Sequence, residues 1–276
     1  MRRALMIVVV LVLGIVPSLG AAANADSHLT DVFTDVLIAL DAGHGGTESG
    51  AVGTTTDGHT VLEKDLNRAV VEELQDLLTA ADAIVVLSRD GDETIESRRD
   101  RVSEARDECK ALGGDCDLLV SVHHNGSSDH SVDYTQVFVT QKKDVALGQA
   151  LYDQLVLLTG DGRGVSHDGF GMTVYGGLVS ALTEAYFTTN HSKADAVWPA
   201  LCTYEWYSGA NGTGQGCDPT VAPPEWENSG STIIEFEADL LTAGIIDYLA
   251  TVGTGNGGGN GGGNDCPPGK AKRDEC

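Results

Sequence analysis

The chain has 276 residues and carries 41 Asp and Glu against 17 Lys and Arg, a formal net charge of −24. Both a nucleic-acid backbone and an anionic bilayer would repel that charge, so neither is the main partner. Hydrophobic residues make up 41% in recurring runs and aromatics only 5%, which excludes a disordered chain and advertises no stacking platform for bases or sugars.

Residues 1–25 read as a secretory signal peptide. Arg2 and Arg3 precede an apolar stretch from Ala4 to Leu19, and Ala21, Ala22, Ala23 and Ala25 fit a cleavage site. The stretch is short for a membrane-spanning helix. Export is expected, to a secreted, periplasmic or cell-wall-associated location, with no membrane contact after cleavage. An oxidising compartment suits an even number of cysteines. The simplest connectivity joins neighbours: Cys109 with Cys116, Cys202 with Cys217, and Cys266 with Cys276.

The first strand is Val36 to Asp41, followed at once by a Gly-rich turn. A helix starts near Val61, with Leu62, Leu66, Val70 and Leu74 at helical spacing. Ala83 to Leu87 is a second strand, and Glu93 to Lys110 reads as an exposed helix. Asp117 to His123 and Thr135 to Thr140 are further strands, Val145 to Leu158 an amphipathic helix, and Leu178 to Glu184 another strand. From His191 to Gly230 the pattern dissolves into Gly, Pro, Asn and Trp, which reads as an inserted surface loop held by a disulfide. Ser231 to Ala250 returns as a helix, opened by Thr232 and Glu235 in capping-box register. Residues 253–265 form a Gly-rich linker, and 266–276 a short disulfide tail. Strands alternating with helices predict an α/β fold with a mostly parallel twisted sheet and helices on both faces.

Three strand ends or helix starts offer metal ligands: His44 in D-A-G-H-G-G, Glu63 in E-K-D-L-N, and His123 in S-V-H-H-N. The C-terminal ends of parallel strands share one edge, where ligands gather. Two neutral imidazoles and one carboxylate suit a catalytic zinc with an open fourth position. Such a site still needs a carboxylate to move the proton, and Glu184, ending the A-L-T-E strand, stands where that base belongs. Each of the four also has a plain structural reading, as a surface histidine or an acid in a helix's first turn.

Taken in order with E-A-Y-F-T-T-N, these segments resemble the zinc-dependent N-acetylmuramoyl-L-alanine amidase family of peptidoglycan hydrolases. L-S-R-D, ending at Asp90, and G-R-G-V, from Gly162 to Val165, fit the same family. The resemblance implies one catalytic domain over residues 34–252 with a phosphorylase/hydrolase-like fold. It implies one Zn²⁺ per chain on His44, Glu63 and His123, with Glu184 as the catalytic glutamate. The implied reaction hydrolyses the amide between N-acetylmuramic acid and L-alanine, with peptidoglycan or muropeptides as partner. No nucleic-acid partner and a monomeric state are expected.

Departures from the family pattern are Ala42 for a common Pro, His124 for a small residue, and Tyr186 for a Gly. Alternation along the strand favours His124 on the far side from the metal, with the H-H doublet leaving the choice between His123 and His124 open, whereas the Tyr186 ring is expected to narrow the cleft or alter its backbone. His59, His130, His167 and His191 read as solvent-exposed loop residues, with His167 and Asp168 the only ones near a possible cleft. Two other readings stay open: an amidase-like protein that binds without turnover, and a zinc peptidase or amidase acting on a different amide. H-x-x-E spacing and H-E-x-x-H are both absent, which disfavours a zinc carboxypeptidase and a helical metalloprotease.

Overall fold

All six residues of strand β1, Leu37–Ala42, are buried, as expected of a strand covered on both faces. The computed structural model describes residues 32–253, apart from 96, 176, 210–213, 215 and 219. The signal peptide, the last pair of cysteines, and the linker beyond Gly253 with its tail lie outside the described residues.

After β1 come a small hairpin, β2 (Val52–Thr54) and β3 (Thr60–Leu62), then helix α1 (Glu63–Ala80) and strand β4 (Ile84–Leu87). Helix α2 (Arg98–Ala111) leads to β5 (Leu118–Asn125) and β6 (Thr135–Val139). Helix α3 (Val145–Leu155) leads to β7 (Gly162–His167), the short α4 (Gly171–Val174) and β8 (Val179–Phe187). Helices α5 (His191–Leu201), α6 (Glu205–Ser208) and α7 (Ile233–Gly253) complete the described chain.

The main sheet has the order β4-β1-β5-β8-β6-β7. Strands β4, β1, β5 and β8 run parallel, and β6 pairs antiparallel with β8. The reason is local. Only residues 126–134 join β5 to β6, too few for the crossover that a parallel neighbour needs. Helix α3 supplies such a crossover next, so β7 runs parallel to β6. The mostly parallel α/β sheet expected from the sequence is present, with this mixed edge added.

Alternation along β1 and β5 divides the core in two. Ile38, Leu40, Val120 and Val122 face a large apolar layer made by α1, α3, α5 and α7. Leu37, Ala39 and Leu119 face a smaller layer that includes Val102, Ala105 and Cys109 of α2, and Met172 of α4. Helix α2 is therefore not merely exposed; it buries a narrow stripe that includes Arg101. It also starts later than the charge pattern suggests, at the Ser97 cap, whose hydroxyl accepts from the Asp100 amide.

The segment 191–230 is not a surface loop throughout. Asn190 caps α5, and Ala194, Val197 and Leu201 of that helix are buried in the larger layer. Pro199 inside the helix disguised that periodicity. The disulfides Cys109–Cys116 and Cys202–Cys217 form as the spacing suggests, with Cα separations of 5.4 and 5.3 Å. Among the described residues no helix is long and apolar enough to cross a membrane.

The capping box of α7 is present: the Thr232 amide donates to Glu235 Oε2 at 2.8 Å, and the Glu235 amide donates to Thr232 Oγ1 at 3.2 Å. Thr232→Ala is expected to lower stability by about 1 kcal/mol. A thermal melt checks this, with a midpoint about 2–4 °C lower expected for a domain of this size.

Candidate metal centre

The turn after β1 reverses the chain through three successive left-handed residues, His44, Gly45 and Gly46, with φ of 61°, 133° and 57°. Histidine tolerates this region better than β-branched residues do. Gly43 has to be glycine for another reason: a Cβ there would lie 2.2 Å from the His123 ring. On the other side, a Cβ on Gly50 would lie 2.4 Å from Glu63 Oε2. These two glycines let the backbone pass close around the site. Glu63 opens α1, where acids suit the helix dipole, and its Oε2 accepts from the Ala51 amide at 2.7 Å.

The other oxygen of Glu63 is where the histidines meet. His44 Nε2 stands 3.2 Å and His123 Nδ1 3.0 Å from Glu63 Oε1. The His124 amide approaches the same oxygen at 3.1 Å, and Asn67 Nδ2 at 3.4 Å. One carboxylate oxygen cannot accept four full hydrogen bonds. Two ligands on a tetrahedral zinc, each about 2.0–2.1 Å from it, stand about 3.3 Å apart. The observed spacings fit that, and the ligand atoms of all three residues lie within 4.8 Å of one another. The donor set therefore fits a divalent metal such as zinc. Burial pushes the Glu63 carboxyl up, but the hydrogen bonds and charge of His123 and His44 outweigh it and hold it well below the usual range.

Beneath this cluster lies a fully buried carboxylate, Asp41. It accepts from Arg101 Nη1 at 3.0 Å and from the Ser121 hydroxyl at 2.7 Å, and the Ser88 hydroxyl bonds it too. Burial raises the Asp41 carboxyl, and Arg101, His123 and the two hydroxyls more than reverse this, leaving it low. Arg101 also donates to the carbonyls of Ala42, at 2.9 Å, and His44. Arg89 donates to the carbonyls of Ala42 and Lys64 at 2.8 Å, and to Gly43 at 3.2 Å. Two guanidinium groups thus bind the His44 turn to α1 and α2. Sequence reasoning assigned these residues no role. Asp41 in the motif and the lone Arg101 on the apolar stripe of α2 were the available signals.

Glu184 stands beside the cluster. It is the register partner of His123 across the parallel β5–β8 pair, so the two side chains share a face, the one that α2 covers. Its Oε2 is buried with no hydrogen-bond partner among the described residues. Burial, and secondarily the charge of Glu63, push its carboxyl well above the usual range. All four residues expected from the sequence are therefore brought together.

The departures resolve differently. His124 is on the far side, as alternation predicts, and is buried. Tyr186 is also there, with its ring 4.4 Å from that of His124, and does not line the cleft. Strict alternation from Glu184 would have put it in the cleft. A register irregularity pairs His123 with Glu184 but Asn125 with Phe187, and this bulge turns Tyr186 into the larger core layer. His59 is half-buried and stacks on Trp198 at 4.4 Å. His130 and His191 stack at 4.6 Å, each with Nδ1 2.8 Å from a backbone carbonyl. His167 ends β7 opposite Val139, whereas Gln136 is the residue of β6 opposite Glu184. His167 and Asp168 therefore lie away from the cluster.

Sheet and site together place the chain among α/β proteins whose ligands gather where parallel strands end. The N-acetylmuramoyl-L-alanine amidase family matches residues 38–198, more than half of the chain, and the chain belongs to that family. YqiI of Bacillus subtilis strain 168 is 37% identical over 161 residues, which are 56% of this chain and 72% of YqiI. The N-acetylmuramoyl-L-alanine amidase LytC of the same strain is 31% identical over 170 residues, 59% of this chain but only 32% of LytC. A solved N-acetylmuramoyl-L-alanine amidase from Clostridium difficile 630 matches with a TM-score of 0.56 at 22% identity, covering 80% of this chain and 98% of that one. AmiC2 of Nostoc punctiforme matches at 0.55 and 20%, covering 78% and 98%. These structural likenesses show a shared fold.

Arg101→Met should strand the Asp41 charge and release the His44 turn. A stability loss of about 3–5 kcal/mol is expected from breaking the buried pair, with zinc affinity weakened about 10–100-fold. Denaturant unfolding and zinc competition measure the two effects separately.

Proposed function

We propose that this chain is an exported zinc amidase that cleaves the bond between N-acetylmuramic acid and the L-alanine of peptidoglycan stem peptides. The observation that carries the proposal is the convergence of His44 and His123 on Glu63 Oε1 beside the partnerless Glu184 carboxyl. Family membership supplies the substrate class. Two disulfides suit an oxidising compartment, which supports export to the wall.

His44, Glu63 and His123 would hold one zinc ion. When bound, the metal supplies a Lewis acid that polarises the amide carbonyl and makes water more acidic. The chain's own residues do the rest. The Ala51 amide holds Glu63 Oε2, so that Oε1 faces His44 and His123, with which it would hold the metal. Glu184 takes the proton of the attacking water and delivers it to the departing L-alanine nitrogen. The lower layer of Asp41, Arg101 and Ser121 keeps the His44 turn from shifting.

A binding protein that has lost the reaction is not favoured by any observation here. The departure that prompted it, Tyr186, is buried behind the sheet against His124.

Muropeptides incubated with the purified protein, with and without chelator, test the proposal. Mass spectrometry should show free stem peptide with an L-alanine amino terminus, lost with chelator and restored by zinc. Intact muropeptides from a zinc-loaded protein would overturn it. Glu184→Gln should keep zinc and lose turnover by at least about 10²-fold; a variant that retains full activity would remove Glu184 from the role of base.

A further inference from the structure

Behind the sheet, a chain of buried polar groups leads to Glu63. We propose that Asn67, His124 and Glu237 form a relay that orients the Glu63 carboxylate and thereby sets the affinity of the site for its metal. The inference rests on the reading of Glu63 as a metal ligand.

All three residues are buried, and they come from α1, β5 and α7. Asn67 Nδ2 faces two acceptors, the Gly43 carbonyl at 3.1 Å and Glu63 Oε1 at 3.4 Å. Neither of these can donate, so the amide nitrogen must be on that side and Oδ1 must point away. Oδ1 then meets His124 Nδ1 at 2.7 Å, and only a protonated Nδ1 makes that contact favourable. The other ring nitrogen, Nε2, is 2.9 Å from Glu237 Oε2. From the His124 ring the donors therefore run one way, Nδ1–H to Asn67 Oδ1 and Asn67 Nδ2–H to the carboxylate of Glu63 and the carbonyl of Gly43, while the Glu237 carboxyl holds the other ring nitrogen. A flipped Asn67 would set acceptor against acceptor at both Gly43 and Glu63.

Energetics argue that this chain of contacts is not there for stability. A buried His–Glu pair is on average no better than an apolar pair of the same size. Glu237 also faces the buried Tyr186 hydroxyl, whose ring packs on that of His124. An arrangement that adds little stability yet ends on a ligand carboxylate matches the outer hydrogen bonds that fix ligands in metal sites. His124 also presents its backbone amide to Glu63 Oε1 at 3.1 Å, so ring and main chain act on the same ligand.

The test is zinc affinity, measured by competition with a chromogenic chelator, on wild type, Asn67→Ala, His124→Ala and His124→Asn, with apo-protein melting recorded for each. Cobalt-substituted protein adds a visible spectrum that reports ligand geometry. Asn67→Ala and His124→Ala should weaken zinc about 10–100-fold and alter the cobalt spectrum. His124→Asn keeps a donor near the Nδ1 position and should recover most of the loss. If His124→Ala does not fold, Glu237→Gln, which keeps size and removes the carboxylate, should show a weakening of about tenfold. Folded Asn67 and His124 variants with wild-type affinity and an unchanged cobalt spectrum would overturn the relay and leave the metal reading intact. A wild-type protein that binds no zinc would overturn both.

Discussion

Glu63 Oε1 is approached by two imidazoles, one backbone amide and one side-chain amide, from three segments of the chain. A buried carboxylate costs several kcal/mol unless opposite charge and donors surround it. Much of the local architecture follows from meeting that cost. The turn after β1 carries His44, the end of β5 carries His123, and the first turn of α1 places Glu63 between them. The glycines at 43 and 50 allow the approach, because a Cβ at either would occupy the space of a ligand.

The sheet makes the convergence possible in a simple way. Parallel β1, β5 and β8 end on one edge, and alternation puts Asp41, Ser121, His123 and Glu184 on the face covered by α2. Asp41 and Ser121 form the lower tier, tied by Arg101. His123 and Glu184 form the upper tier, where chemistry would occur. The opposite face carries the large apolar layer, and within it the polar path from Glu237 through His124 to Asn67. The site is thus supported from both sides of the same sheet.

Much of this was legible in the sequence because the four key residues sit where local signals are strong. His44 and His123 follow β-branched and apolar strands, and Glu63 opens a helix with clear spacing. The thin elements were not legible. Strands β2 and β3 are three residues each and too short to show alternation. Helix α5 was hidden by Pro199, and β7 by its glycines and exposed residues. Tyr186 was misplaced because a bulge is a property of two strands and leaves no mark in either one alone. Asn67, Arg89 and Arg101 act across long sequence separations, so their roles emerge only when the fold brings a carbonyl or carboxylate to meet them.

The most direct test of the account is zinc K-edge X-ray absorption on the metal-loaded protein, because it reads the ligand set itself. His44, Glu63 and His123 as ligands give nitrogen and oxygen neighbours only, at about 2.0–2.2 Å, with the outer scattering of two imidazoles. Sulfur at about 2.3 Å, a single imidazole, or failure to retain zinc would contradict it.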